Sequence, residues 1–362
     1  MGRYVNESVN QNDQRHHSFW IFTIFLLFLF IPFSILTLEQ AEAIDSGQPE
    51  IPLGLKSSAF HIPADNPMTS EKVALGRFLF FDKRLSKDNR IACATCHIPA
   101  LAFTDGQPVS TGINRQQGGR SAPTALNRAF TKGQFWDGRA ATLEAQSVGP
   151  LSNPIEHGFT NNAAIVAKLN RIQGYQELFT DVFGKKITVD TVGQAIATFQ
   201  RTLLSGNSPL DRFEHGKDTN AISDTAKRGL KLFRGKARCG ICHSGFNFSD
   251  ENFHNLGVGW GHESVDVGRY NVTKKQTDIG SFKTPTLREI EHTAPYMHDG
   301  SLATLGDVIA FYNNGGINNP FLSPFILPLK LTDTEKKELL AFLKMLSGEG
   351  WQHIKAPERF PQ

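Results

Sequence analysis

Cysteine is scarce in this chain, with four among 362 residues, which excludes a disulfide-stapled scaffold at this size. Methionine, with four, and tyrosine, with five, are nearly as rare, so each sulfur or phenol able to bind a metal can be weighed individually. Charge of one sign is absent too: 38 basic and 35 acidic residues leave a net +3, and no Lys/Arg run offers a footprint for nucleic acid. Small molecules and other proteins are the expected partners. No succession of alternating polar and apolar residues marks a sheet, and only one apolar run, Phe19 to Leu38, is long enough to cross a bilayer.

All four cysteines fall in two copies of one motif, Cys93-Ala94-Thr95-Cys96-His97 and Cys239-Gly240-Ile241-Cys242-His243. Two thiols three positions apart reach the two vinyl groups of one haem, and the adjacent histidine then supplies a proximal iron ligand. Zinc sites and disulfides compete for such cysteines, but zinc motifs of this kind rarely carry histidine directly after the second cysteine. Two covalently attached c-type haems are expected, with His97 and His243 as iron ligands. The wide separation of the motifs suggests one haem per domain.

The amino terminus reads as an export leader: Arg3, Arg15, His16 and His17 precede the apolar run, and Ala41-Glu42-Ala43 offers small residues for cleavage. The run is also long enough to stay uncut as an anchor despite Pro32. The expected organisation is a leader over 1–43, a cytochrome c-like domain over 44–208 and a second over 209–362, in the periplasm. Both domains are read as mainly α. Thr69-Ser70-Glu71 opens a helix through Phe78, Asp190 caps another running to about Leu204, and Ser223-Asp224 starts a third that ends before Cys239. Thr332-Asp333-Thr334-Glu335 forms a capping box ahead of the stripe Leu339, Leu343, Leu346. Gly76-Arg77-Phe78-Leu79-Phe80 and Gly229-Leu230-Lys231-Leu232-Phe233 precede the two motifs alike, which suggests a duplicated cytochrome c unit.

Phe135-Trp136-Asp137-Gly138-Arg139, then Gln146, Gly149-Pro150 and Glu156, are followed by Lys283-Thr284-Pro285-Thr286-Leu287-Arg288 and Ala294-Pro295-Tyr296-Met297-His298-Asp299-Gly300. In this order the strings resemble the bacterial dihaem cytochrome c peroxidase family, nearest its MauG-like branch, over nearly the whole chain after the leader. The resemblance implies that peroxide binds at the His97 haem and that Trp136 passes electrons between the haems. It makes Glu156 the distal carboxylate, Gln146 the amide that positions peroxide, and Pro150 the residue closing that distal side. Heterolysis of the O–O bond needs a group that moves a proton from the inner oxygen to the leaving one, and a carboxyl raised by burial suits that exchange.

Four departures refine the expectation. No histidine lies between His97 and Trp136, and Ile113 stands at or near the place of the family's removable distal histidine, so the first haem should be open to peroxide without a reductive trigger. Fourteen residues after His298 the electron-transferring peroxidases carry a methionine, whereas this chain has Tyr312, as the MauG-like branch does. An anionic phenolate over the second haem would favour its oxidised states; Met297 and Met345 are the alternative ligands. The resemblance also implies a Ca2+ between the haems held by carbonyls of Thr293 and Pro295, with Ser121 replacing an asparagine. Finally, Arg238 replaces a surface tryptophan used by the MauG-like branch, leaving Trp260 or Trp351 as substitutes. The leading expectation is a periplasmic peroxidase drawing electrons from a small cytochrome c or cupredoxin. The alternatives are a maturase oxidising a partner protein's side chains, and a non-catalytic electron carrier.

Overall fold

The computed structural model describes residues 47–362; the expected leader and its cleavage site lie outside those residues. Six longer helices position the site: α1 (Ser70–Phe81), α2 (Leu143–Ser152), α3 (Val189–Arg201), α4 (Asp224–Arg234), α5 (Leu305–Asn313) and α6 (Asp333–Leu343). Each begins where a Ser or Thr hydroxyl accepts from a backbone N–H that the helix leaves unpaired: Thr69, Thr142, Thr188, Ser223, Thr304 and Thr332. The expected cap at Asp190 is corrected to Thr188, whose hydroxyl accepts from Thr191 N, and α3 ends at Arg201. A hydroxyl two residues upstream had the same capping chemistry, and Asp190 instead places its charge in the first turn. The one regular sheet among the described residues pairs β1 (Phe253–Asn255) with β2 (Ser281–Lys283), antiparallel, with His254 opposite Phe282. The chain is mainly helical, as expected.

Within the single unit Ile44–Gln362, buried side chains gather into two cores. In the first, α1 crosses α3 with Phe80 against Phe199 at 5.3 Å between centroids. In the second, α4 crosses α6 with Phe233 against Phe342 at 4.9 Å. Both crossings are made possible by a glycine. A Cβ on Gly76 would lie 2.0 Å from the Ala195 carbonyl oxygen, and one on Gly229 would lie 2.0 Å from that of Glu338. Leu203 belongs to the first core and Leu210 to the second. The carboxyl-terminal tail then returns to the first: Trp351, Ile354 and Phe360 pack there, and Arg84 Nη2 donates to Pro361 O at 2.7 Å.

The halves are copies of one pattern in constant register from 123 to 150 and from 285 to 312, each position lying 162 residues before its mate (123 and 285, 142 and 304). Thr124 Oγ1 donates to Ala102 O at 2.6 Å and Thr286 Oγ1 to Asn247 O at 2.7 Å. Bridges Gln134 to Ala140 and Tyr296 to Leu302 close equivalent tight loops, with positive φ at Phe135 and Met297. Those loops put Trp136 and His298 in equivalent places. Thr142 and Thr304 then cap α2 and α5, so Pro150 and Tyr312 also occupy equivalent positions. At the seam Arg288, 1 % exposed, grips Asp211 with two hydrogen bonds of 2.7 and 3.0 Å and donates to Gly54 O as well.

Candidate active site

A single helical turn carries Cys93 and Cys96, which puts both thiols on one side, and His97 closes it by donating its N–H to Cys93 O at 2.9 Å. The second motif repeats this, with His243 N donating to Cys239 O at 2.9 Å. All four thiols are free of disulfides. Burial pushes Cys93 and Cys239 up to about 12, and Cys96 and Cys242 up to about 11. Each histidine donates Nδ1–H to a backbone carbonyl, His97 to Phe103 at 3.0 Å and His243 to Phe248 at 2.9 Å. Burial lowers both imidazole pKa values despite those bonds. A neutral ring with Nδ1–H spent leaves Nε2 as a free lone pair, the tautomer a ligating histidine requires. Paired thiols beside such a ring fit a haem attached through both sulfurs, with iron on Nε2.

A largely apolar cavity of about 220 Å³ opens at the second motif, lined by Cys239, Cys242 and His243 and, from α5, by Tyr312. Burial pushes the phenol's pKa well up, with the two cysteines adding to it, and its hydroxyl takes no hydrogen bond from the described residues. Met297 also reaches the cavity wall, whereas Met345 packs against the second core. Trp136 lines the same cavity and donates Nε1–H to Ser121 O at 2.9 Å. Ser121, Thr293 and Pro295 lie in this wall together. His298, stacked on Phe282 at 3.6 Å, joins them, its pKa pushed down to about 4 by burial.

The first motif has a different neighbourhood. Glu156 lies in the turn after α2, close enough to the first motif for its charge to add to the raised pKa of both Cys93 and Cys96. Burial raises the pKa of Glu156, against the opposing pull of Arg139 and of a 2.6 Å hydrogen bond from Asn153 Nδ2. Ile113, 5 % exposed, donates its backbone N–H to the carbonyls of Ile155 and Glu156, at 3.0 and 3.1 Å. Position 113 therefore abuts the carboxylate's own segment and brings no imidazole. Pro150 lies inside α2, its carbonyl accepting from His157 N at 3.3 Å. Gln146 sits one turn earlier, and its Oε1 accepts from Gln200 at 3.3 Å; no hydrogen bond joins it to Glu156.

Sequence reasoning passed over three groups, two of them buried and the third half-buried. His157, next to Glu156, donates Nδ1–H to Leu85 O at 2.7 Å, and burial pushes its pKa down to about 4. Lys283, 5 % exposed, pairs with Glu251 at 3.2 Å; burial, aided by the Arg128 charge and opposed by Glu251, pushes it down to about 7. Arg128 lines the cavity beside it. Any buried charge in a cofactor protein is a signal, but burial of these residues is not legible without the fold. Elsewhere, Arg238 is exposed at the cavity mouth, Trp260 is half-buried against Phe321 and Trp351 is 6 % exposed.

Comparison with known proteins gives a consistent result. A family model for the di-haem cytochrome c peroxidases matches residues 70–219. The chain is 42 % identical to the methylamine utilization protein MauG of Methylophilus methylotrophus, over 82 % of this chain and 88 % of that protein. It is 37 % identical to the cytochrome c551 peroxidase of Nitrosomonas europaea, over 80 % of this chain and 83 % of that one. Among solved structures, a MauG-like protein associated with microbial copper homeostasis superposes with a TM-score of 0.74 at 35 % identity, covering 81 % of this chain and 93 % of the other.

Proposed function

This chain belongs to the dihaem cytochrome c peroxidase family and is a haem oxidoreductase that takes peroxide as acceptor, and on that premise we propose which of its residues do the work. Cys93 and Cys96 attach one haem and Cys239 and Cys242 the other, with His97 and His243 as proximal ligands and Tyr312 as the second ligand in the carboxyl-terminal site. Bound haem supplies the iron that takes peroxide and the two centres that hold oxidising equivalents. The halves 44–208 and 209–362 each carry one, with the returning tail belonging structurally to the first core.

Glu156 carries the proton chemistry. Its carboxylate takes a proton from the inner oxygen of hydrogen peroxide and returns it to the outer one, so that the O–O bond breaks as water leaves. Two electrons and two protons then complete the conversion of one peroxide into two waters. Asn153 fixes the carboxylate through its 2.6 Å hydrogen bond, and Ile113 sets an aliphatic residue against the same segment. Gln146 orients peroxide, Pro150 closes the distal face, and Trp136 carries electrons between the halves. A Ca2+ on the carbonyls of Thr293 and Pro295 near Ser121 would stiffen the wall that holds Trp136, since calcium accepts carbonyl oxygens readily.

The observation that carries this reading is a half-buried carboxyl with a raised pKa close to the first motif, with Ile113 packed against its segment and the neighbouring His157 imidazole tied to Leu85 O. A non-catalytic carrier has no use for such a group over an open site. Electrons come from a small periplasmic cytochrome c or cupredoxin. The exposed Arg238 and the buried Trp351 both disfavour hole transfer to a protein substrate, the maturase alternative. The test is an optical titration of the oxidised protein with stoichiometric hydrogen peroxide and no reductant. Immediate conversion to a high-valent spectrum shared by both haems is expected; no reaction until one haem is reduced would mean a hidden distal ligand and overturn the open site.

A further inference from the structure

Two cationic side chains, Arg128 and Lys283, lie in the cavity wall that also holds Trp136, and Glu251 pairs with Lys283 from outside that wall. Glu251 is committed to Lys283 at 3.2 Å, and its oxygens also accept from Ser249 Oγ at 3.2 Å and Lys132 N at 3.3 Å. Arg128 has only neutral acceptors: Gln134 Oε1 at 2.7 and 2.9 Å, and Gly133 O at 3.3 Å. Two cations against one carboxylate leave this apolar cavity one negative charge short, and an unbalanced charge in such surroundings is costly. The same cavity is lined by Cys239, Cys242 and His243, and any haem attached there carries two propionates.

The register of the duplication supports a designed cation. Ser121 N donates to His298 O at 2.7 Å, and 162 residues on Lys283 N donates to Trp136 O at 2.8 Å, so the two positions are equivalent. One half has a hydroxyl there, beside the carbonyls suited to a metal cation; the other has its own ammonium. We infer that Lys283 and Arg128 form a carboxylate-binding site whose ligand is a propionate of the carboxyl-terminal haem. The inference rests on the haem reading above. Lys283 is here a positioning residue: its charge stabilises the propionate and, through it, the reduced iron.

The test is spectroelectrochemical titration of the holoprotein, with haem content counted by the pyridine haemochrome spectrum. In Lys283→Met the carboxyl-terminal haem should fall in midpoint potential by a tenfold change in its reduction equilibrium, about 59 mV for one electron. Lys283→Arg should restore the wild-type value. Glu251→Gln, which frees the ammonium from its competing carboxylate, should move the same haem upward. A generally loosened cavity would shift Lys283→Met and Glu251→Gln in the same direction, which overturns the site. So does a Lys283→Met protein with unchanged potentials, or with only the amino-terminal haem shifted. Fewer than two haems per wild-type chain would instead overturn the haem reading, and this site with it.

Discussion

At the scale of single residues, the proposed chemistry concentrates on Glu156 and Tyr312. Glu156→Gln keeps the side chain's shape and removes its ability to accept a proton, so the rate of reaction with peroxide should fall by about 10²- to 10⁴-fold in stopped-flow traces, with both haems still in place. The pH dependence follows from the raised pKa. The working form is the carboxylate, and burial holds its proton on to higher pH, so the acid limb of the wild-type rate should lie above the ordinary glutamate value of about 4.3. A limb at or below that value would sink the assignment. Tyr312→Met exchanges a hard anionic donor for a soft neutral one and should raise the midpoint potential of the carboxyl-terminal haem; an unchanged potential would mean that the phenol is not on iron. The residues proposed to attach haem, and Glu156 as the proposed proton carrier, could be picked out from the sequence because a covalent motif and a resemblance fix residue types. Lys283, Arg128 and His157 could not, because a lysine, arginine or histidine in a loop reads as solvated surface until neighbours from distant segments bury it.

At the scale of elements, the duplicated helix crossing is the most exposed to change. An added methyl at Gly76 or Gly229 has nowhere to go, since the nearest atom is a backbone oxygen of the crossing helix rather than a mobile side chain. Gly76→Ala and Gly229→Ala should each cost about 1–3 kcal/mol by overpacking, measured as a shift in the denaturation midpoint; Gly184→Ala, with open space around its Cβ position, tests for the cost of positive φ alone. Helix starts at Thr69, Ser223 and Thr332 were readable because a capping hydroxyl immediately preceded an apolar stripe. Asp190 misled because two capping residues lay close together, and only the backbone shows which hydroxyl meets Thr191 N.

At the scale of the whole molecule, the halves are tied by the tail and by Arg288, which Asp211 holds in place as it donates to Gly54 O of the first half. Removing residues 351–362 strips Trp351, Ile354 and Phe360 from the first core. The truncated protein should lose protection against proteolysis around Arg77 and Arg84, whose guanidinium groups bond the tail's carbonyls, before it loses any around α6. Breaking the buried pair with Asp211→Asn should cost about 3–5 kcal/mol, chiefly because Arg288 is left charged without a partner. Although burial opposes it, Arg288 and Ser208 hold the Asp211 carboxyl below its ordinary value. Its stabilisation is therefore complete above the ordinary aspartate pKa and is lost as pH falls through the lowered one, so the wild type should lose stability in acid more steeply than Asp211→Asn. The motif spacing suggested two halves, but the returning tail was hidden, since a chain end carries no mark of which core it will join.

The shared register has a consequence for the division of labour. Pro150 and Tyr312 are the same seat in two copies of one frame, filled in one by a ring with no donor and in the other by a phenol. On the reading proposed here, specialisation of a duplicated carrier into a reactive half and a storage half needed no new architecture: it turns on the tenant of one helical position, and the two trades are in principle exchangeable.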